Sequence, residues 1–507
     1  MHDTVIGFLH RPPGPLSSRD GVTHLHRTAA ECILRSAARN RLHGQGVRVQ
    51  RVLPFRTRAQ DGLRARSCET RVSGTASRDA VKRLAGPTGS TLTHLEGGLS
   101  HLTYPADTLA TVDPADRRPL LARYDLSRAA TALHGMRRAA PAGVHGVWRW
   151  REVLPVRDWT NVVTLGEGST PLLEARRLGS ALGVGHLLVK AESLNPTGSF
   201  KARGMAVAVS RAMELGATSF VMPSAGNAGG ALGAYAGAAG MPATVVMPRD
   251  APEVNRAEVV ACGAGLILVN GLISDCGRLA AWLSDRTGSF DLSTLKEPYR
   301  VEGKKTMGIE LAEDLDWALP DVIVYPMGGG TGLIGMWKAF AELEEMGLIG
   351  SGRPRMVGVQ AEGCAPMVRA FHAGRRFADP WESAATDAAG LRVPSSVGDF
   401  LVLEAIASSG GTAIAVPEAD IAATQGFAAR HGAGFLSLES ASAFAALAEL
   451  RGQHAIQSDD TVVVFDTGAG FKSVLPESPA RSVVGPSEDD WESILSSPTG
   501  GSMAAAP

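Results

Sequence analysis

The chain of 507 residues is 44% hydrophobic and 20% charged, with a formal net charge of −1; this is soluble composition, too long for one compact core, so more than one globular unit is expected. No apolar stretch reaches the roughly 20 residues a bilayer-crossing helix takes, so no membrane partner is expected. Five scattered cysteines, Cys32, Cys68, Cys262, Cys276 and Cys364, argue against a disulfide framework and for a reducing, cytoplasmic setting. At the start of the chain, residues 1–90 carry 15 Arg and 1 Lys against 6 Asp and Glu, and the remainder carries −11. A nucleic-acid arm, a transit peptide or an unstructured extension would each fit that segment. Asp3, Asp20 and Pro12–Pro13 speak against the transit peptide, and a disordered extension with no nucleic-acid partner is the expectation taken.

Residues 91–150 form a leader in which Gly97 and Ser100, and then Asp113 and Asp116, stand at the offsets where a zinc ribbon places its cysteine pairs. None of the four is Cys, so no metal site is expected. From about residue 154 the texture changes: short β-branched runs alternate with Ala- and Leu-rich stretches, each switch marked by Gly, Ser, Asn or Pro. Strands are predicted over residues 186–190, 219–222, 243–247, 265–269, 322–325, 356–359 and 461–465, with helices over 205–215, 333–343 and 441–450. This is α/β texture. It implies mostly parallel sheets with ligands at the carboxyl ends of their strands, in a catalytic unit spanning residues 151–475. Residues 476–507, rich in Ser, Pro, Gly and Ala, read as a disordered tail.

Four strand-end segments carry candidate chemistry. The first, Asn195-Pro196-Thr197-Gly198-Ser199-Phe200-Lys201-Ala202-Arg203-Gly204, sets Lys201 at a strand-to-helix turn. A nucleophilic lysine needs a lowered pKa, which a helix N-terminus and the nearby Arg203 would both favour; a solvated surface lysine is the alternative. The second, residues 223–230, offers Ser224 and Asn227 among small residues, a fit to a carboxylate and a ring oxygen, or an ordinary turn. The third, Gly328-Gly329-Gly330-Thr331-Gly332, opens a helix and reads as a phosphate cradle. It lacks the spacing of a nucleotide-binding Gly-x-Gly-x-x-Gly or a P-loop. The fourth, residues 466–472, offers Thr467 or Asp466 as partner to a ring nitrogen.

In this order the segments resemble the fold-type II pyridoxal 5′-phosphate enzymes, a group of two α/β domains with the cofactor between them, over residues 154 to 475. The resemblance implies that Lys201 carries the cofactor as a Schiff base and that Phe200 packs beside its ring. Asn227 would bind the ring hydroxyl, Gly328, Gly329, Gly330, Thr331 and Gly332 the phosphate, and Thr467 would face the ring nitrogen. Within the group the details look most like the threonine synthases. Leu165-Gly166-Glu167-Gly168-Ser169-Thr170-Pro171-Leu172 resembles their entry motif, and residues 293–306 their substrate-phosphate stretch. That likeness implies a small phosphoamino-acid substrate held by Ser293 and Arg300 with Lys296 or Lys305, Ser224 on its carboxylate, and a homodimer. The expected reaction is conversion of O-phospho-L-homoserine and water to L-threonine and phosphate. Departures stand at Ala202 and Glu297, where the family commonly has Asp and Asn, and the leader resembles a zinc ribbon stripped of its cysteines. The rival expectations are β-elimination or β-replacement on Ser, Thr or a phosphorylated relative, and a cofactor-binding scaffold without catalysis.

Overall fold

The computed structural model describes residues 89–138 and 145–473. Apart from residues 89 and 90, the basic extension expected over 1–90 lies outside the described residues, as does the tail expected over 476–507.

Thirteen strands form three sheets among the described residues. A small antiparallel sheet, β2-β1-β3, combines β1 (Leu92–Gly97), β2 (Thr103–Pro105) and β3 (Leu120–Tyr124). A six-stranded sheet runs β12-β11-β10-β13-β5-β4, built from β4 (Leu172–Glu174), β5 (His186–Lys190), β10 (Val322–Pro326), β11 (Arg355–Ala361), β12 (Thr412–Val416) and β13 (Thr461–Phe465). All its pairings are parallel except that of the edge strand β4 with β5. A four-stranded parallel sheet, β8-β7-β6-β9, uses β6 (Phe220–Pro223), β7 (Ala243–Pro248), β8 (Gly265–Val269) and β9 (Phe290–Asp291).

The sequence of β10, Val-Ile-Val-Tyr-Pro, is buried throughout, as a parallel strand covered on both faces must be. Because successive side chains point to opposite faces, Val322 and Val324 enter one core layer, with Phe444 and Leu447 of the Leu438–Gly452 helix. Ile323 and Tyr325 enter the other, with Met307, Leu333 and Phe340. The smaller sheet has its own core of Phe220, Met222, Val245 and Met247. The Lys201–Glu214 helix, which follows β5 of the large sheet, packs through Ala202, Met205 and Val209 into that second core. Its first residue therefore lies where the chain crosses from one α/β body to the other.

The predicted strands at 186–190, 265–269 and 461–465 coincide with β5, β8 and β13. The lysine helix was expected near residue 205 and instead starts at Lys201, because Phe200 already takes helical backbone angles. In the leader, Ser100 Oγ and Tyr104 OH both donate to Asp113 at 2.5 Å, and a Cβ on Gly97 would stand 2.0 Å from Asp113 Oδ2. Three of the four ribbon-spaced positions thus converge, with Ser100 and Asp113 joined by a hydrogen bond. Among the described residues no group of three or more His, Cys, Asp or Glu is placed to hold a metal ion, and no helix is long and apolar enough to cross a membrane.

Candidate active site

The carboxyl ends of the two parallel sheets open on one cavity of about 520 Å³. Lys201 and Phe200 line it, with residues 223–228 after β6, Ser293, Thr294 and Lys296 after β9, the Gly328 to Gly332 loop after β10, and Thr467 after β13. Five segments lying far apart in the chain meet because every one of them leaves a strand at the same end.

Lys201 is half-buried on the cavity wall, and its pKa falls from 10.5 to about 8, first through loss of hydration and then through the neighbouring Arg300 charge; Glu439 opposes the shift. Arg203, expected from the sequence to press on this lysine, is otherwise engaged. Its guanidinium lies buried between Glu192, at 2.7 Å, and Glu310, at 2.6 and 2.8 Å, so its charge is matched. The peptide bearing Lys201 is anchored to the segment after β13: Phe200 N–H donates to the Thr467 carbonyl at 3.1 Å, and Ser199 forms a β-bridge with Gly468.

The glycine loop owes its residues to close approach. A Cβ on Gly328 would fall 2.4 Å from the Gly390 carbonyl, and one on Gly332 would meet Tyr325 OH at 1.9 Å. Gly330, at φ +79°, caps the 15-residue Thr331–Glu345 helix in the left-handed region that favours glycine. The N–H groups at that end bring positive partial charge to the cavity wall. Opposite, Asn227 begins the Asn227–Ala239 helix with its side-chain oxygen buried and unpartnered, and Tyr325 OH is likewise buried without a partner. Ser224 Oγ accepts from the N–H of Gly226 at 3.2 Å and of Gly229 at 2.9 Å. Thr467 faces the cavity, whereas Asp466, its rival for the ring nitrogen, is absent from the lining and takes a hydrogen bond from Ser193. Burial pushes the Asp466 carboxyl up to about 6.

The sequence profile of pyridoxal-phosphate dependent enzymes matches residues 163–468. The chain belongs to that family. Among relatives of this pyridoxal-phosphate dependent enzyme, the threonine synthase of Methanocaldococcus jannaschii is 36% identical over 338 residues, 66% of this chain and 82% of the relative. That of Methanosarcina acetivorans is 36% identical over 346 residues, 68% and 84% of the two chains. In three dimensions the chain resembles maize serine racemase, with a TM-score of 0.52 at 22% identity over 59% of this chain and 88% of the other. The T.th. threonine deaminase gives 0.51 at 26% identity, covering 61% and 94%. The fold is that of a fold-type II enzyme dependent on pyridoxal phosphate.

The cavity fits that cofactor. It joins an amine of lowered basicity, a phosphate-sized cradle kept open by glycines, and unpartnered Asn227 and Tyr325 polar atoms that need a hydrogen-bonding occupant. On the expected substrate side the residues divide. Ser293 and Lys296 line the cavity, with Ser293 Oγ donating to Asp291 at 2.5 Å. Arg300 is buried just behind, its Nε on Glu297 at 2.8 Å, its Nη1 on Met222 sulfur at 3.6 Å and its Nη2 without a partner. Lys305 corrects the expectation: its ammonium sits 2.7 Å from both Glu302 and Glu342, away from the cavity lining, held there by two buried carboxylates.

Sequence reading missed three parts of the site. Residues 389–397 form a wall, with Ser396 Oγ donating to the Gly329 carbonyl at 3.1 Å. Ile273, Ser274 and Arg278, on the helix after β8, form another. Glu439 closes the floor and accepts from Gly390 N–H at 2.7 Å. Only long-range packing brings these to the cavity, and no local motif marks them.

Proposed function

We propose that this enzyme converts O-phospho-L-homoserine and water to L-threonine and phosphate. The observation that carries the reading is the grouping, in the cavity that Lys201 lines, of Ser293, Thr294 and Lys296, with the unpartnered Arg300 Nη2 behind them. A cation and hydroxyls beyond the reacting carbons suit a phosphorylated side chain, and free Ser or Thr would not need them. Relatives named threonine synthase support the same reading.

Pyridoxal phosphate, when bound, supplies an electron sink for charge developing at the substrate Cα. Phe200, Asn227, the 328–332 loop and Thr467 would hold it against Lys201. The Lys201 amine would then take one proton from Cα and one from Cβ as general base, and return protons to Cγ, which becomes the methyl carbon once phosphate has left, and to Cα as general acid. Ser293 and Lys296, with Arg300, would hold the phosphate that leaves Cγ, and Ser224 with its neighbouring N–H groups would hold the substrate carboxylate. Water adds at Cβ. Assembly as a homodimer belongs to the same proposal.

A second reading, β-elimination on Ser, Thr or a phosphorylated relative, draws on Glu297, whose carboxylate already takes the Nε edge of Arg300. A substrate panel scored for phosphate and for keto acid separates the two. Threonine with stoichiometric phosphate is expected from phosphohomoserine. Keto acid from free Thr, with no phosphate released from phosphohomoserine, would overturn the first reading. Arg300→Ala should lower kcat/KM toward the phosphorylated substrate by more than about tenfold while cofactor binding survives. Arg300→Lys should recover part of the loss, since it keeps the charge without the planar fork.

A further inference from the structure

A second lysine stands beside the same ring as the first. Lys304, on the Tyr299–Asp314 helix, is buried; its Nζ donates to the Phe200 carbonyl at 2.6 Å and stands 3.9 Å from the centre of the Phe200 ring. Lys201 Nζ stands 3.9 Å from the centre of the same ring. The approach depends on two glycines: a Cβ on Gly204 would fall 3.0 Å from Lys304 Cε and 2.8 Å from the Arg300 carbonyl, and one on Gly303 would fall 2.1 Å from the Arg203 carbonyl. Lys305, its neighbour in sequence, has two carboxylates within 2.7 Å, whereas the Lys304 amine meets a carbonyl and a ring face.

The charged groups acting on Lys304 are Lys201 and Arg203 on the facing helix, Arg300 one turn back on its own helix, and Glu192 after β5. Three of the four are basic. Burial, then Lys201 and Arg300, push the Lys304 amine well below the usual lysine range, with Glu192 opposing. Two amines beside one ring, with Glu192 already paired to Arg203, cannot both carry a proton at moderate cost.

We propose that Lys304 is a positioning residue for Lys201: it ties down the carbonyl of the peptide preceding Lys201 and, by charge crowding, keeps the two amines from being protonated together. This rests on Lys201 as the attachment point of pyridoxal phosphate. A neutral amine still donates to the carbonyl, more weakly than an ammonium would, so holding the peptide and sparing Lys201 a charged neighbour are compatible.

Three variants separate the two halves of the proposal. Lys304→Gln keeps a donor without a charge, Lys304→Arg keeps a donor with a permanent charge, and Lys304→Met keeps neither. The cofactor-free proteins are titrated by competitive acetylation, reading Lys201 by peptide mass, and cofactor capture is read by borohydride trapping and peptide mapping. Lys304→Arg is expected to lower the Lys201 midpoint by about one pH unit or more, a tenfold loss of proton affinity. Lys304→Met is expected to trap the cofactor at Lys201 about tenfold more slowly, with Lys304→Gln close to wild type. An unmoved midpoint in Lys304→Arg together with wild-type capture in Lys304→Met would overturn the proposal. Should Lys304→Met not fold, the Lys304→Arg midpoint and Lys304→Gln capture still decide it. Wild-type label on Lys190 or Lys472 would instead overturn the Lys201 assignment, a failure the peptide map distinguishes.

Discussion

At the scale of single residues, Lys201, the proposed cofactor lysine, burdens the fold that carries it. A Lys201 amine whose pKa drops from 10.5 in the unfolded chain to about 8 in the native one binds its proton more weakly when folded. The unfolded state therefore holds more protons between those values, and stability rises with pH across that window. Below pH 8 the full cost applies, and by pH 10.5 it has gone. Lys201→Met should accordingly stabilise the cofactor-free protein at neutral pH by about 3 kcal/mol, while abolishing cofactor capture and turnover. Denaturant titrations of variant and wild type at pH 7 and pH 10 test this, and a stability difference independent of pH would refute it. That Lys201 would line a cavity was legible from its place after a strand, but the origin of its lowered pKa was not. Arg203 is two residues away and neutralised by Glu192 and Glu310, whereas the Arg300 that acts on it is 99 positions along the chain.

At the scale of elements, the site depends on how closely the Lys201–Glu214 and Tyr299–Asp314 helices approach. Gly303 faces Gly204 Cα at 2.7 Å from where its Cβ would be, so the contact is backbone against backbone and has no flexible side chain to yield. Gly303→Ala should cost about 1–3 kcal/mol and weaken cofactor capture, because the helices can relieve the clash only by separating Lys304 and Arg300 from Lys201. Gly135→Ala supplies the contrast. That glycine lies in the exposed part of the Leu126–Arg138 helix with nothing within 4 Å of an added Cβ, and the change should gain about 0.5–1 kcal/mol. Chemical denaturation of both variants gives the comparison, and equal effects would show that the close approach is not what the glycine serves. The inner strands β10, β11 and β13 of the large sheet were legible because a parallel strand buried on both faces is a continuous apolar run, whereas β12, Thr-Ala-Ile-Ala-Val, was not anticipated. The edge strand β4 and the two-residue β9 carry no such run. Residues 389–397 form a cavity wall without any regular element, so no periodicity announces them.

At the scale of the whole described molecule, the leader is part of the catalytic body. Arg118 pairs with Asp399 at 2.9 Å, Arg211 reaches Asp107 at 2.7 Å, and Thr91 donates to the Glu152 carbonyl at 2.9 Å through both its N–H and its hydroxyl. A further tie is Tyr124, at the end of β3. Its hydroxyl donates to Glu302 at 2.9 Å, and its ring lies 4.1 Å beneath the Lys305 ammonium. Despite burial, Lys305 and Lys338 hold the Glu302 carboxyl below the usual range, so Tyr124 donates to a charged acceptor. Tyr124→Phe should thus cost about 1.5–3 kcal/mol while leaving the cavity lining untouched. The sequence suggested a leader defined by lost metal ligands. In the structure the Asp113 hydrogen bonds at one end and this network at the other tie the leader together. Chelator treatment is expected to leave fold and activity unchanged, and stoichiometric zinc in the purified protein would contradict that. Truncation gives the last test, because it separates the leader from what precedes it. Deleting residues 1–85 leaves every contact named here in place and should preserve the cofactor absorbance. Extending the deletion to residue 125 removes Tyr124, Arg118 and Asp107, stranding Glu302 and Asp399 with fewer partners in a buried setting, and soluble cofactor-loaded protein should be lost. Full cofactor loading after the longer deletion would show that the leader is a separable appendage.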